Sequence, residues 1–276
     1  MQTILLHLLA ASLYAVLGVR FWRNTRLANA AATPRDAMST AERGVLLGAL
    51  IAHGLALRAV LFPGEAMHFG FGLAVSLVVW LAVGFYWVET FFARLGGLHA
   101  MVITAGLVGS LLPLIFPGQH ILANAGSAAF RAHFIIAMLA YSLFTLAALH
   151  AMLMAFAERQ LHSGRLTRTF ANLPPLLTME RLLFRLIGIA FILLTLTVSS
   201  GVVFSEALFG QAFRLDHKTV FAIISWLLFG ALLVGRRVWG WRGRVALRWT
   251  LAGFVTLVLA YVGSRFVIEV LLGRTN

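Results

Sequence analysis

Eight long apolar stretches constrain this chain of 276 residues more than any other feature. They lie at roughly 2–21, 42–62, 67–88, 97–116, 130–156, 182–205, 217–235 and 246–270. A helix crosses the hydrocarbon core of a bilayer in about 20 residues. Backbone polar groups cannot stay unbonded in lipid, so such stretches must be helical. The sequence therefore predicts an all-α, polytopic integral membrane bundle of about eight transmembrane helices, forming a single transmembrane domain over residues 1–276.

The overall composition excludes most soluble classes of protein. Apolar residues make up 61% of the chain and charged residues 11%, against about 45–50% and about 25% in soluble domains. Cysteine is absent, which excludes disulfides, thiolate catalysis and cysteine-type zinc sites. The sequence has no HExxH or Walker pattern and no GxGxxG before a helix, so it lacks the usual hydrolase and nucleotide-binding signatures. We therefore expect that this protein is not an enzyme.

Basic residues are distributed unevenly among the connections between spans. Lysine and arginine together number 22, against 9 acidic residues. The connections after odd-numbered spans, with their flanks, carry 16 of the 22, and the opposite side carries 6. The positive-inside rule places the arginine-rich side in the cytoplasm and both termini on the outer side. In an apolar chain this excess indicates topology, so we expect no nucleic acid partner.

His133 is the most informative of the nine histidines. It opens the fifth span in HFIIAMLAYSLFTLA, and Ala137 and Ala140 share its helix face because they follow four and seven residues later. Small neighbours leave room for a flat ligand such as a porphyrin, and imidazole is a common axial ligand of haem iron. Alternatively, the alanines only permit close packing, with His133 hydrogen-bonded to a neighbouring helix. From spacing alone, packing is the commoner explanation.

A second polar group lies at the start of the seventh span, in RLDHKTVFAIISW. Asp216 is well placed to cap that helix near the positive end of its dipole. The same run could bind an anion or a propionate, with Lys218 and Arg214 as cations and His217 as a ligand. A solvated helix start is the alternative explanation, and the sequence does not separate the two.

His53 lies in the interior of the second span, in LIAHGLALR, with Arg58 further along the same helix. An ionisable side chain at membrane depth is costly and normally faces the bundle interior or a cavity. His53 is therefore either a ligand or proton-linked residue, or a buried hydrogen-bonded histidine. His150 lies about 17 residues beyond His133, roughly 25 Å along a helix, so these two histidines cannot share a site.

The ordered segments of the second half resemble a known family. They are HFIIAMLAYSLF, PPLLTMERLLFRLIGIAFILLTLTVSSG, LDHKTVFAIISWLLFGALLVGRRVWGWRGR and GSRF. Together they resemble the YpjD-type branch of the CcsA/HemX cytochrome c assembly superfamily, best from about residue 117 to the end. The resemblance implies a haem-binding, multi-pass protein of the bacterial inner (cytoplasmic) membrane that holds or presents haem near the outer face. The implied partners are haem and another membrane protein or a cytochrome c assembly component.

The resemblance also implies a set of site residues. His133 matches the family's histidine at the start of the corresponding span, and Asp216 and Lys218 match an Asp-Pro-Lys pattern. The hypothetical ligands of the haem iron are His133 and His217. The further candidates for binding the cofactor are His53, Asp216 and Lys218.

Two departures from the family pattern keep an alternative function open. The segment FSEALFGQAFRLDHK contains no tryptophan, and LLVGRRVWG contains no histidine, where CcsA-type proteins carry both. The alternative is a non-haem accessory or structural subunit of another membrane complex, or a regulator of tetrapyrrole synthesis. A third and weaker option is a quinone- or ion-handling subunit that uses His53 and Arg58.

Overall fold

Eight helices long and apolar enough to cross a membrane make up the described part of the chain, which confirms the predicted fold class. The structure is a computed structural model that describes residues 2–27, 38–64, 66–93, 96–117, 120–122, 125–162, 176–209 and 216–272. The helices are α1 Gln2–Leu27, α2 Thr40–Leu61, α3 Phe71–Glu89, α4 Gly96–Ile115, α5 Ala128–His162, α6 Leu176–Phe209, α7 His217–Val238 and α8 Gly243–Leu271.

Two helices, α5 and α6, are longer than the apolar stretches that predict them. They contain 35 and 34 residues, because each helix continues past its apolar part into polar sequence such as AERQLH at the end of α5. Hydropathy marks only the segment that lies in lipid, so it underestimates a helix that projects beyond the membrane. Of the eight helices, α5 is the most enclosed by protein and α6 the least.

The helices pack as two groups of four that meet along α3 and α5. In the first group α1 packs against α2 and α4, and α3 packs against the same two helices. In the second group α5 packs against α6 and α8, and α7 bridges α6 and α8. Small residues permit the close approaches, as expected for helices in lipid. At Gly106, for example, a Cβ atom would lie 2.9 Å from the ring of Tyr14.

The antiparallel order of the helices gives the bundle two ends. We name one the terminal face, because it holds the start of α1, residues 62–70 and 120–122, the start of α7 and the end of α8. Backbone hydrogen bonds join its two connections, with the Phe69 amide donating to the His120 carbonyl at 2.8 Å and Leu122 to Met67 at 2.9 Å. The opposite end is the arginine-rich face.

Ion pairs between helices hold the arginine-rich face. Glu180 on α6 lies 3.5 Å from Arg236 and 3.7 Å from Arg242, on either side of the turn between α7 and α8. That turn requires two glycines in the left-handed region, Gly240 with φ 65° and Gly243 with φ 53°. Further pairs on this face, among the described residues, are Arg20–Glu42, Arg244–Glu158 and His150–Glu89.

The last span, α8, is not a regular α-helix along its whole length. It is α-helical to Val258 and then contains two π-helical turns, Leu259–Gly263 and Val267–Leu271. Such turns are rare and occur frequently at functional sites. Here they flank Arg265 at the terminal face, where α8 meets the start of α7.

Candidate functional site

His133 lies in the second turn of α5, half-buried against α6. Its Nδ1 atom is 2.8 Å from the hydroxyl oxygen of Ser200 on α6. Gly201 follows that serine and lies beside the ring. A Cβ atom at this position would be in van der Waals contact with Cε1 of His133, at 3.6 Å. Ala137 and Ala140, which share the helix face of His133, are buried in the apolar core. The predicted helix–helix hydrogen bond of His133 therefore exists, and it fixes the position of the ring.

The Ser200 hydroxyl has a second partner, the backbone carbonyl of Thr197, 3.1 Å away. We assign the tautomer of His133 in which this hydroxyl donates to the Thr197 carbonyl and accepts from Nδ1, so that Nδ1 carries the proton. In the neutral ring the lone pair then lies on Nε2. A metal-binding histidine is normally oriented in this way, through a hydrogen bond from its other ring nitrogen.

Asp216 caps the start of α7, as the sequence predicts. Its Oδ1 atom accepts hydrogen bonds from the backbone amide and the hydroxyl of Thr219, both at 2.9 Å. Partial burial would raise the pKa of Asp216, but these bonds, with the nearby charges of Lys218 and His217, hold it below its usual range. One oxygen of this carboxylate therefore has a structural role.

The two residues that follow the cap differ in their surroundings. His217 is the first residue of α7 and is exposed, whereas Lys218 is half-buried. The Nζ atom of Lys218 lies 5.8 Å from the centre of the Tyr261 ring on α8. Arg214, the other cation suggested by the sequence, lies outside the described residues. Lys218 thus faces the bundle, and His217 lies at its surface.

An aromatic row connects α5 to the cations of the terminal face. Phe134, the neighbour of His133, contacts Phe69 with ring centres 5.0 Å apart. Phe69 in turn contacts Tyr261, with ring centres 6.0 Å apart. The ring planes are inclined at 79° and 44° and Phe69 is fully buried, so this row is a packed part of the core beside the positive charge, and its half-buried rings are those of Phe134 and Tyr261.

Arg265 is the residue of this face whose role the sequence underestimates. It pairs with Glu269 at 3.5 Å, as the one-turn spacing predicts. The guanidinium carbon, however, also lies 5.9 Å from the centre of the Tyr261 ring. The side chain is buried, and its Nε atom has no hydrogen-bond partner in the part of the chain that the structure describes. The signal available in the sequence was an arginine inside an apolar span.

His120 feels the charged groups of the terminal face. It is half-buried in the connection between α4 and α5. Partial burial and the positive charges of Arg265 and Lys218 hold the pKa of His120 below its usual range, and Glu269 opposes this shift. The imidazole of His120 is thus within electrostatic reach of the two cations.

His53 is fully buried in the first group of helices. Its Nε2 atom lies 2.9 Å from the Ser76 hydroxyl, and its Nδ1 atom lies 3.5 Å from the Tyr14 hydroxyl. Both ring nitrogens therefore have partners within the first group, as the hydrogen-bonded alternative predicts. A ligand or proton-linked role for His53 would require one of these contacts to be exchanged.

The remaining buried histidines do not join His133 in a conventional metal centre. His150 lies 3.1 Å from Glu89 on the arginine-rich face, far along α5 from His133. His7 donates from Nδ1 to the Ser110 carbonyl at 2.8 Å, and His99 contacts Tyr86. Within the described ranges, no group of three or more His, Cys, Asp or Glu side chains could hold a metal ion.

These features define a polytopic helical membrane protein with an oriented histidine and a cluster of cations and aromatic rings at one end. Comparison with known proteins gives the family. The model of the cytochrome c assembly protein family matches residues 45–272, and the chain belongs to that family. The resemblance inferred from the sequence segments is confirmed.

Individual relatives cover different shares of the chain. The Escherichia coli inner membrane protein YpjD is 31% identical over 221 residues, which are 79% of this chain and 83% of YpjD. The cytochrome c biogenesis protein CcsA of Gloeobacter violaceus is 33% identical over 92 residues, 33% of this chain and 27% of CcsA. The CcsA of a Picosynechococcus species is 35% identical over 103 residues, 36% of this chain and 30% of CcsA. Likeness to YpjD thus extends over most of the protein, and likeness to CcsA over about a third.

Proposed function

We propose that this protein holds haem at its terminal face, with Nε2 of His133 as an axial ligand of the iron. The observation that carries the proposal is the 2.8 Å contact between Nδ1 of His133 and the Ser200 hydroxyl, because this contact orients the ring, and in the assigned tautomer the lone pair lies on Nε2. Membership of the cytochrome c assembly protein family supports a role in cytochrome c biogenesis. Haem is the cofactor that such a role requires.

The chemistry of the terminal face fits haem in three respects. Haem is flat and apolar, carries two carboxylates, and presents an iron that accepts an axial imidazole. The imidazole is that of His133, and the half-buried rings of Phe134 and Tyr261 are apolar side chains at the same face. Lys218 is a cation at the same face, and we assign it to a propionate. In this arrangement the residues of the chain bind, orient and desolvate the cofactor.

The other predicted ligands have different roles in the proposal. His217, exposed at the start of α7, is the candidate for the second axial position. Asp216 supports that position by capping the helix that carries His217 and Lys218. His53 has partners on α1 and α3, so we assign it no place at the terminal face and keep it as a candidate for a deeper site.

We further propose that the terminal face is the outer face of a bacterial inner membrane. The excess of arginine at the opposite face supports this orientation, and the relative YpjD is named an inner membrane protein. Both termini then lie outside. The protein would hold and hand over haem without catalysing bond formation, in contact with another membrane protein or a cytochrome c assembly component.

Hemin titration of the purified protein in detergent tests the proposal. The wild type should develop a Soret band that shifts on reduction. His133→Ala should retain less haem per folded protein and change the spectrum, because an axial imidazole is lost. His68→Ala is the matched control, since His68 is a half-buried histidine of the same face with no assigned role, and it should behave like the wild type.

A second outcome would favour the alternative function. If the wild type stays colourless after hemin addition, the protein is better explained as a non-haem accessory or structural subunit, or as a regulator of tetrapyrrole synthesis. An unchanged haem content and spectrum in His133→Ala would leave haem binding intact but would remove His133 as the ligand.

A further inference from the structure

Two cations from different helices converge on one aromatic ring at the terminal face. The Nζ atom of Lys218 on α7 and the guanidinium carbon of Arg265 on α8 lie 5.8 and 5.9 Å from the centre of the Tyr261 ring. Both distances are within the range of about 6 Å over which a ring attracts a cation. Tyr261 therefore lies close to two positive charges, one at the start of α7 and one near the end of α8.

The positive charge of Arg265 is only partly compensated by the protein. Its side chain is 10% exposed, and its contact with Glu269 is long, at 3.5 Å. The other oxygen of Glu269 accepts a hydrogen bond from the Phe71 amide at 2.7 Å. The Nε atom of Arg265 is buried and has no hydrogen-bond partner among the described residues. A buried guanidinium with an unused donor is costly unless a further acceptor binds to it.

The two carboxylates whose side chains the structure describes at this face have other partners. Glu269 is shared between Arg265 and the amide of Phe71, and Asp216 accepts two hydrogen bonds from Thr219. Neither acid therefore neutralises Lys218 and Arg265 fully. The ring of Tyr261, between the two cations, is half-buried and aromatic. A ligand that suits both features is anionic where it meets the cations and apolar where it meets the Tyr261 ring.

We propose that Lys218 and Arg265 form a clamp for the carboxylates of a tetrapyrrole, with Tyr261 as the surface between them. The proposal rests on the proposed function and adds Arg265 and Tyr261 to its binding residues. Arginine suits this role because its planar fork matches a carboxylate, and lysine adds a point charge. The clamp recognises the tetrapyrrole through its carboxylates and is independent of the iron.

Metal-free porphyrin separates the clamp from the iron ligand. The experiment measures the binding of protoporphyrin IX and of its dimethyl ester to the full chain in detergent, by quenching of tryptophan fluorescence. Wild type should bind the free acid roughly tenfold or more tightly than the ester, because the ester cannot form charge-assisted hydrogen bonds. Lys218→Gln and Arg265→Gln should each reduce this preference severalfold.

Two further variants control for loss of fold and for general surface charge. Arg265→Lys keeps a cation and should retain part of the preference, whereas Lys218→Gln tests the clamp without disturbing the Arg265–Glu269 pair. Arg58→Gln removes an exposed cation in the last turn of α2 and should leave the preference unchanged. If Arg58→Gln lowers the preference as much as Lys218→Gln does, surface charge explains the result and the clamp is rejected.

The outcomes for wild type distinguish the two proposals. Equal binding of the free acid and the ester overturns the clamp, while hemin binding through His133 stands. If neither porphyrin nor hemin binds, the proposed function fails together with the clamp. A preference for the free acid that survives both Lys218→Gln and Arg265→Gln would place the carboxylates elsewhere and also overturn the clamp.

Discussion

The carboxylate of Glu269 accepts a hydrogen bond from the backbone amide of Phe71 at 2.7 Å, across 198 residues of sequence. Phe71 is the first residue of α3, and its preceding residue, Gly70, offers no side chain to cap the helix. The first amides of a helix lack internal partners and favour negative charge. Glu269 therefore caps α3 from the last span and ties the two groups of helices together at the terminal face.

Removal of this link should destabilise the protein. Glu269→Ala leaves the Phe71 amide without its acceptor and Arg265 without its ion-pair partner, so we expect a loss of about 2–4 kcal/mol. Glu269→Gln keeps an acceptor but not the charge and should have a smaller effect. Thermal unfolding in detergent measures the order of the two variants. Equal stability of Glu269→Ala and wild type would show that the link contributes nothing.

Ser200 should act on haem through His133 without touching the cofactor. Ser200→Ala removes the hydroxyl that orients Nδ1, and we expect roughly tenfold to a hundredfold weaker retention of haem, with an altered Soret band. Ser200→Thr keeps the hydroxyl and is the matched control, expected to stay close to wild type. A structural role alone would lower stability without changing the spectrum of the haem that remains bound. A normal spectrum in Ser200→Ala would therefore contradict the assigned tautomer.

The Asp216 cap gives a prediction with a defined dependence on pH. Asp216→Ala should cost about 1 kcal/mol and increase hydrogen exchange at the Thr219 amide, whereas Asp216→Asn can still cap. Because hydrogen bonds from Thr219 hold the pKa of folded Asp216 below its usual range despite partial burial, the stabilisation by its charge is present above the ordinary pKa of an aspartate and is lost as pH falls through the lower folded value. The difference in unfolding temperature between wild type and Asp216→Asn should thus shrink on acidification. A difference in unfolding temperature that grows on acidification would contradict the lowered pKa of Asp216.

Some of this architecture could be predicted because it depends on local sequence. The eight spans follow from hydropathy, and the Asp216 cap and the Arg265–Glu269 pair join residues within one helical turn. Local spacing carries that information, because side chains three or four residues apart meet on any helix.

The contacts that define the candidate site could not be predicted in the same way. His133 and Ser200 are 67 residues apart, and their contact depends on how α5 and α6 pack. The aromatic row and the meeting of Lys218 with Tyr261 depend on how the two groups of helices dock. The π-helical turns near Arg265 depend on local competition between backbone hydrogen bonds, which leaves little trace in an apolar sequence.

Topology reporters test the orientation of the bundle. Fusions near Arg35 and Arg242 should report the cytoplasm, and a fusion near His120 should report the outer side, because the arginine-rich face is held inside. All three positions lie in connections or beside them, so the reporter leaves the spans intact. The opposite pattern would place the proposed haem site in the cytoplasm and would contradict the outer-face assignment.

Replacement of the His133 side chain by free imidazole is the most direct test that His133 is an axial ligand of the iron. In His133→Gly the side chain is removed while the helix remains, and added imidazole can occupy the space next to Ser200 and Gly201. We expect His133→Gly to have an altered Soret band with hemin. Millimolar imidazole should restore the wild-type spectrum, and the same concentration of an alkylated, bulkier imidazole should restore less of it. A wild-type spectrum in His133→Gly without imidazole would show that another residue is the iron ligand.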